Sequence, residues 1–144
     1  MKRKVLLIDD DTLSMQYYVK ALNEKGFEVS QVGNPDDAIE YLTDRSNLSL
    51  DLIILDIMLP TGKRYHKNPD SMNGLLTGEL LFEDIRKICR DIPVVILTNS
   101  RNLDIFSVLP KEIPFYNKTE VAPFELARVL RKVLGMEENA RGDH

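Results

Sequence analysis

Acidic residues stand at the ends of two apolar runs in this chain. Val5-Leu6-Leu7-Ile8 runs into Asp9-Asp10-Asp11, and Leu52-Ile53-Ile54-Leu55 runs into Asp56, after which Ile57-Met58-Leu59 breaks at Pro60. Two further stretches deliver a hydroxyl and an ammonium: Val94-Val95-Ile96-Leu97 ends on Thr98, and Pro114-Phe115-Tyr116-Asn117 on Lys118. An uninterrupted apolar run reads as a strand buried on both faces, because a half-exposed strand alternates polar and apolar residues. In open parallel sheets, ligands bind at the carboxyl ends of the strands. If Asp9, Asp10 and Asp56 meet there, their charges repel, and either a carboxyl pKa rises or a cation is bound. Hard oxygen donors with access to water suit Mg²⁺, which takes one or two carboxylates and keeps several waters.

The elements that must position these groups alternate along the chain. Thr12 to Lys25 has helix formers, with Leu13, Tyr17 or Tyr18, Ala21 and Leu22 at helical spacing and Gly26 as a stop. Phe27 to Val32 predicts a second strand. Asn34-Pro35-Asp36-Asp37 then starts a helix: a capping side chain, proline in the first turn and acids facing the amino-terminal dipole. Thr61 to Thr77 has turn signals, the basic residues Lys63, Arg64 and Lys67, and no clear period. Gly78 to Arg90 predicts a third helix through Leu81, Ile85 and Ile88 or Cys89, Asn99 to Leu109 a short fourth, and Pro123 to Leu134 a fifth, ended by Gly135. Met136 to His144 reads as a polar tail.

Five strands alternating with five helices predict an α/β fold, a three-layer sandwich on a parallel sheet with right-handed crossovers. Pattern alone does not order the strands. The chain has 144 residues, 43% apolar and 29% charged, which suits one domain, residues 1–135 with an extended loop over 61–77, followed by the tail 136–144 and no output domain. The net charge of −4 gives no general pull toward nucleic acid. No apolar run approaches the roughly 20 residues that span a bilayer, and the four apolar residues after Lys4 are too few for an export signal. Cys89 is the sole cysteine, so no internal disulfide forms; a buried, inert thiol in a cytoplasmic protein is expected.

Val5 to Asp10, Asp51 to Pro60, Thr98 and Lys118, in this order, resemble the receiver domain of two-component response regulators, of the single-domain, chemotaxis-receiver kind. The resemblance covers Lys4 to Leu134, apart from one insertion. It implies a flavodoxin-like sheet of order 2-1-3-4-5, which sets the first and third strands side by side. It implies that Asp56 accepts a phosphoryl group from a histidine kinase or a histidine phosphotransfer protein. Mg²⁺ would be held by Asp10, Asp56 and the backbone carbonyl of Met58, with Asp9 acting through water. Lys118 and Thr98 would neutralise the transferring oxygens. Thr98 and Phe115 would form the switch that repacks a surface for an unknown protein target. Such a chain assists its own phosphorylation without being an enzyme in the ordinary sense, and no direct contact with nucleic acid or membrane is expected.

Two alternatives stand beside this. Leu6 to Leu13 also resembles the first motif of haloacid-dehalogenase-type phosphatases, with Asp9 as nucleophile and Asp11 as acid, although no second strand-end acidic pair follows Lys118. A receiver-like binding module independent of phosphorylation is the other. By themselves, Asp11 and Asp51 read as turn or helix caps. Four departures from the receiver pattern stand out, one of them a short fourth helix interrupted by Pro110, at the usual output face. The 61–77 segment is long, and reads either as a lid or docking loop for an anionic partner or as a disordered surface loop. Thr119 stands where proline is usual after the lysine, so a cis bond there is not expected. Asn99 replaces a smaller residue beside Thr98.

Overall fold

A computed structural model describes residues 2–47, 49–99 and 109–136. Five parallel strands form one sheet, β1 (Arg3–Ile8), β2 (Phe27–Val32), β3 (Leu52–Leu55), β4 (Val94–Thr98) and β5 (Phe115–Asn117), in the order β2-β1-β3-β4-β5. The described helices are α1 (Thr12–Glu24), α2 (Pro35–Thr43), the single turn α3 (Gly62–Tyr65), α4 (Thr77–Ile88) and α5 (Pro123–Val133). The doubly wound parallel sheet and its strand order are those expected. Residues 100–108, which hold most of the predicted fourth helix, lie outside the described residues.

Side-chain alternation along each strand divides the core in two, since successive residues of a strand point to opposite faces. Val5, Leu7, Leu52, Ile54, Val95 and Leu97 face α1 and α5, packing on Met15, Tyr18, Leu22, Leu126, Ala127 and Leu130. Leu6, Ile8, Ile53, Leu55, Val94 and Ile96 face the other way, onto Ala38 of α2, Tyr65 of α3 and Leu81, Phe82 and Ile85 of α4. All four residues of β3 are buried, as its uninterrupted apolar run requires. Among the described residues no helix is long and apolar enough to cross a membrane.

The caps explain where the helices start. The Asn34 side chain accepts from Asp37 N at 2.9 Å, with Pro35 in the first turn. Asp11 accepts from Ser14 N at 3.0 Å and caps α1, and the Asp51 carboxylate accepts from Lys4 N at 2.7 Å, tying the entrances of β1 and β3 together. Asp11 thus caps a helix as read, whereas Asp51 bridges two strands instead of capping a turn or helix, because its carboxylate faces the neighbouring β1 backbone. Several helix-face assignments need correction. Leu13 and Tyr17 are 75% and 65% exposed, and the buried stripe of α1 is Met15, Tyr18 and Leu22, because the helix phase turns residues 15, 18 and 22 to the sheet. Ile88 is exposed at the end of α4, and Cys89 is only partly buried. Met136, expected in the tail, packs against the first core cluster.

The 61–77 segment is built rather than disordered. It contains α3, a short 3-10 turn at Pro69–Ser71, and a left-handed stretch at Met72, Asn73 and Gly74 (φ 49°, 57° and 99°) that turns the chain back into α4. Periodicity could not show this, because its elements are single turns, one held by Asp36 and Asp84 from other helices and the other capped by Asn68 within the segment.

Candidate functional site

The sheet register brings the acids together. Ile8 pairs with Leu55, and Asp56 N donates to Ile8 O at 3.0 Å, so Asp56 leaves β3 directly beside Asp9 as it leaves β1. Asp9 is itself anchored, its N–H donating to Val32 O at 2.9 Å. One carboxylate oxygen from each of Asp9, Asp10 and Asp56 lies within 4.8 Å of the others. Asp9 and Asp56 are 1% and 4% exposed, whereas Asp10 is open to solvent. The predicted convergence on one rim is what the structure contains.

Lys118 closes the rim from the far side. β5 pairs with β4, Thr98 opposite Asn117, and Lys118 N donates to Thr98 O at 3.0 Å, which aims the lysine side chain back over the strand ends. Its Nζ lies 3.2 Å from Asp56 Oδ2 and 2.7 Å from Asp9 Oδ2. The first contact is also a hydrogen bond, and the second, shorter one is a close ion pair. The other Asp9 oxygen accepts from Asp11 N at 2.9 Å, and Asp56 Oδ1 accepts from Met58 N at 3.2 Å.

These contacts set the electrostatics. Burial pushes the Asp56 carboxyl up to about 6, against the lowering pull of the Lys118 ammonium and of a hydrogen bond with the Thr98 side chain, while the Asp9 carboxylate adds to the rise. Burial works against the Lys118 ammonium, but the Asp56 and Asp9 carboxylates outweigh it and hold its pKa above the ordinary lysine value. Thr98 is fully buried at the end of β4. Phe115 is half-buried against the second core cluster. Three carboxylates, two of them buried, whose oxygens come within 4.8 Å of one another form a donor set that fits a hard divalent cation.

Two supports for this site were not legible in the sequence. Tyr18, read there as core, sends its hydroxyl to the carbonyls of Lys118 at 3.0 Å and Val121 at 2.6 Å, fixing the turn that presents the lysine. The available signal was general: a buried tyrosine hydroxyl needs a partner, and sequence does not say which. Thr119 donates both its N–H, at 2.8 Å, and its hydroxyl, at 2.6 Å, to Asn117 Oδ1. Proline lacks that N–H, so threonine here holds the turn by a different bond. The described residues contain no cis peptide, as expected at Thr119.

Fold and rim together define a class: a doubly wound α/β domain carrying an acidic cluster and a lysine at the carboxyl edge of its sheet. Residues 5–109 match the model of the response regulator receiver domain, and the chain belongs to that family. It is 33% identical over 110 residues to a transcriptional regulatory protein CpxR homolog of Haemophilus influenzae, covering 76% of this chain and 40% of the relative. It is 27% identical over 140 residues to the DNA-binding response regulator MtrA of Mycolicibacterium smegmatis, covering 96% of this chain and 54% of that protein. The chain thus spans about half the length, or less, of these relatives. Among solved structures, a receiver domain protein (CheY-like) of Methanospirillum hungatei superposes with a TM-score of 0.72 at 19% identity, over 94% of this chain and 95% of that one. A receiver domain protein of Clostridium thermocellum gives 0.70 at 25% identity, over 92% and 94%.

Proposed function

We propose that this chain is a phosphoryl-accepting switch in which Asp56 is the acceptor, loaded by the phosphohistidine of a kinase or phosphotransfer protein and read out by contact with another protein in the cytoplasm. The observation that carries this reading is the position of the Asp56 carboxylate, at a strand end, between the Lys118 ammonium and the Asp9–Asp10 pair. A carboxylate is a weak nucleophile toward phosphorus, so the protein's contribution is positioning and charge neutralisation. An Asp56 carboxylate oxygen forms the new P–O bond as the P–N bond of the donor breaks, and the electron pair leaves with the imidazole. Lys118, already held at the rim, meets one phosphoryl oxygen. Thr98 exchanges its hydrogen bond with the carboxylate for one to another phosphoryl oxygen. Its movement leaves room for Phe115 to turn inward, which alters the surface near β5.

Asp10, Asp56 and the Met58 carbonyl are assigned to Mg²⁺, with Asp9 acting through water. When bound, Mg²⁺ would neutralise charge on the phosphoryl oxygens. The phosphatase alternative requires Asp11 as a general acid, and the Asp11 carboxylate is committed to capping α1. Because Asp56 is itself the acceptor, the chain is a signalling component rather than a turnover enzyme. Mass spectrometry after treatment with acetyl phosphate and Mg²⁺ tests the proposal. Phosphate on Asp56 is expected; phosphate on Asp9 with rapid release of inorganic phosphate, or no modification at all, would overturn it.

A further inference from the structure

The segment between Pro60 and α4 is tied down at both ends, and the ties converge on the backbone that follows Asp56. At its start, the Asp36 carboxylate of α2 accepts from Lys63 N at 2.8 Å and from Arg64 N at 3.2 Å. Gly62 has φ +64°, and a Cβ there would fall 2.2 Å from Asp36 Oδ2, so the carboxylate sits in the space a side chain would need. In the middle, the buried Tyr65 donates its hydroxyl to the Asp84 carboxylate of α4, and Arg64 Nε lies 3.1 Å from the same group. The segment therefore bridges α2 to α4.

Its return closes on the acceptor loop. Leu59 N donates to Gly74 O at 3.2 Å, and Gly78 N donates to Ile57 O at 2.8 Å. A Cβ on Gly74 would lie 2.9 Å from Leu59 O, and one on Gly78 would lie 2.2 Å from Asp56 O, so backbone packs on backbone at both places. The residues on either side of Met58 are thus hydrogen-bonded to the end of the segment and the start of α4. The orientation of the peptide between them follows from those two bonds.

We infer that residues 61–76 are a brace, not a lid: they fix the 57–59 backbone beside Asp56, and Asp36, on a different helix, is the positioning residue that locks the brace. The inference rests on the function proposed above insofar as the Met58 carbonyl serves a bound Mg²⁺. Asp36 touches neither the acceptor nor the cluster. It acts through the amides of Lys63 and Arg64, the Tyr65 anchor and the Gly74–Leu59 bond.

The test compares wild-type protein with Asp36→Ala, Asp36→Asn and, as a control from the same helical turn, Asp37→Ala, whose carboxylate bonds Asn34 rather than the segment. Two readouts are taken on each. The first is amide hydrogen exchange at Leu59 and Gly78 in the absence of metal. The second is the Mg²⁺ concentration giving half-maximal protection in a thermal melt. Asp36→Ala is expected to speed exchange at both amides and raise the half-maximal Mg²⁺ about tenfold, the usual effect of removing a group that orients a metal ligand. Asp36→Asn, which keeps one acceptor oxygen in place, falls between, and Asp37→Ala matches wild type. Equal exchange in Asp36→Ala and Asp37→Ala would overturn the brace. Faster exchange with unchanged Mg²⁺ dependence would overturn the link to the metal site. A wild-type protein that is not phosphorylated on Asp56 bears on the function alone, because the exchange readout needs neither phosphate nor metal.

Discussion

The Tyr18 hydroxyl in α1 lies 3.0 Å from the carbonyl of Lys118, one hundred residues further along the chain, and the same hydroxyl reaches Val121 O at 2.6 Å. One side chain on the first helix thus fixes the turn from which the site's cation projects. Tyr18→Phe keeps the ring that packs with Met15 and Leu22 and removes only this anchor. It is expected to cost about 1–2 kcal/mol of stability, the scale of a hydrogen bond lost from a buried group. Phosphorylation by acetyl phosphate should slow as well, because the lysine loses its fixed origin. Urea unfolding and a phosphorylation time course measure the two effects; a slowing without destabilisation, or neither, would contradict the assignment.

Asp56 makes stability depend on pH in a direction opposite to that of most paired carboxylates. Burial raises its folded-state pKa from 3.8 to about 6, so the folded protein holds this proton more tightly than the unfolded chain does. The sign follows: without divalent ion, the protonated carboxyl supports the fold below about pH 4, and that support is lost as pH rises through about 6. Asp56→Asn removes the buried charge. It is therefore expected to stabilise the metal-free protein above pH 6, on the order of 2 kcal/mol, with no gain below pH 4. Urea titrations across this range check it, and the same variant should accept no phosphate.

Lys118 places its ammonium against the cluster's negative charge, 3.2 Å from Asp56 and 2.7 Å from Asp9. The ammonium competes electrostatically with any divalent cation. Lys118→Met is expected to tighten Mg²⁺ binding, seen as a larger melting shift at a given concentration by mass action. Its phosphorylation should nonetheless slow about a hundredfold, since a donor to the transferring oxygens is gone. Opposite movements of binding and rate are the diagnostic; a parallel loss of both would mean that the lysine only holds the fold together.

Gly78 gives the sharpest steric prediction. A methyl group there would meet Asp56 O at 2.2 Å and Ile57 Cα at 2.5 Å, and both are backbone atoms that cannot rotate away. Gly78→Ala is expected to destabilise by about 1–3 kcal/mol despite the better helix propensity of alanine. The shift it forces lies at the acceptor, so Mg²⁺ protection in a thermal melt should weaken too. A neutral or stabilised variant would show that α4 starts farther from the Asp56 backbone.

Much of the architecture was written in local chemistry. Three apolar runs, ending on Asp9, Asp56 and Thr98, specify buried strands, a shorter mixed stretch delivers Lys118, and Gly26, Asn34-Pro35 and Gly135 mark helix ends, because these effects need only near neighbours in the chain. The types of the site residues were therefore legible, as was the need for oppositely charged groups to meet if the strands shared a sheet. Tertiary structure decided what depends on contacts distant in sequence. It set β1 beside β3, so that Asp9 and Asp56 meet, and turned Tyr17 outward and Tyr18 onto the lysine turn. It also converted the aperiodic stretch after Pro60 into a brace, through Asp36 and Asp84 on two other helices. A single turn has too few hydrogen bonds to declare itself in sequence, and the groups that stabilise it are known only once the chain has folded around them.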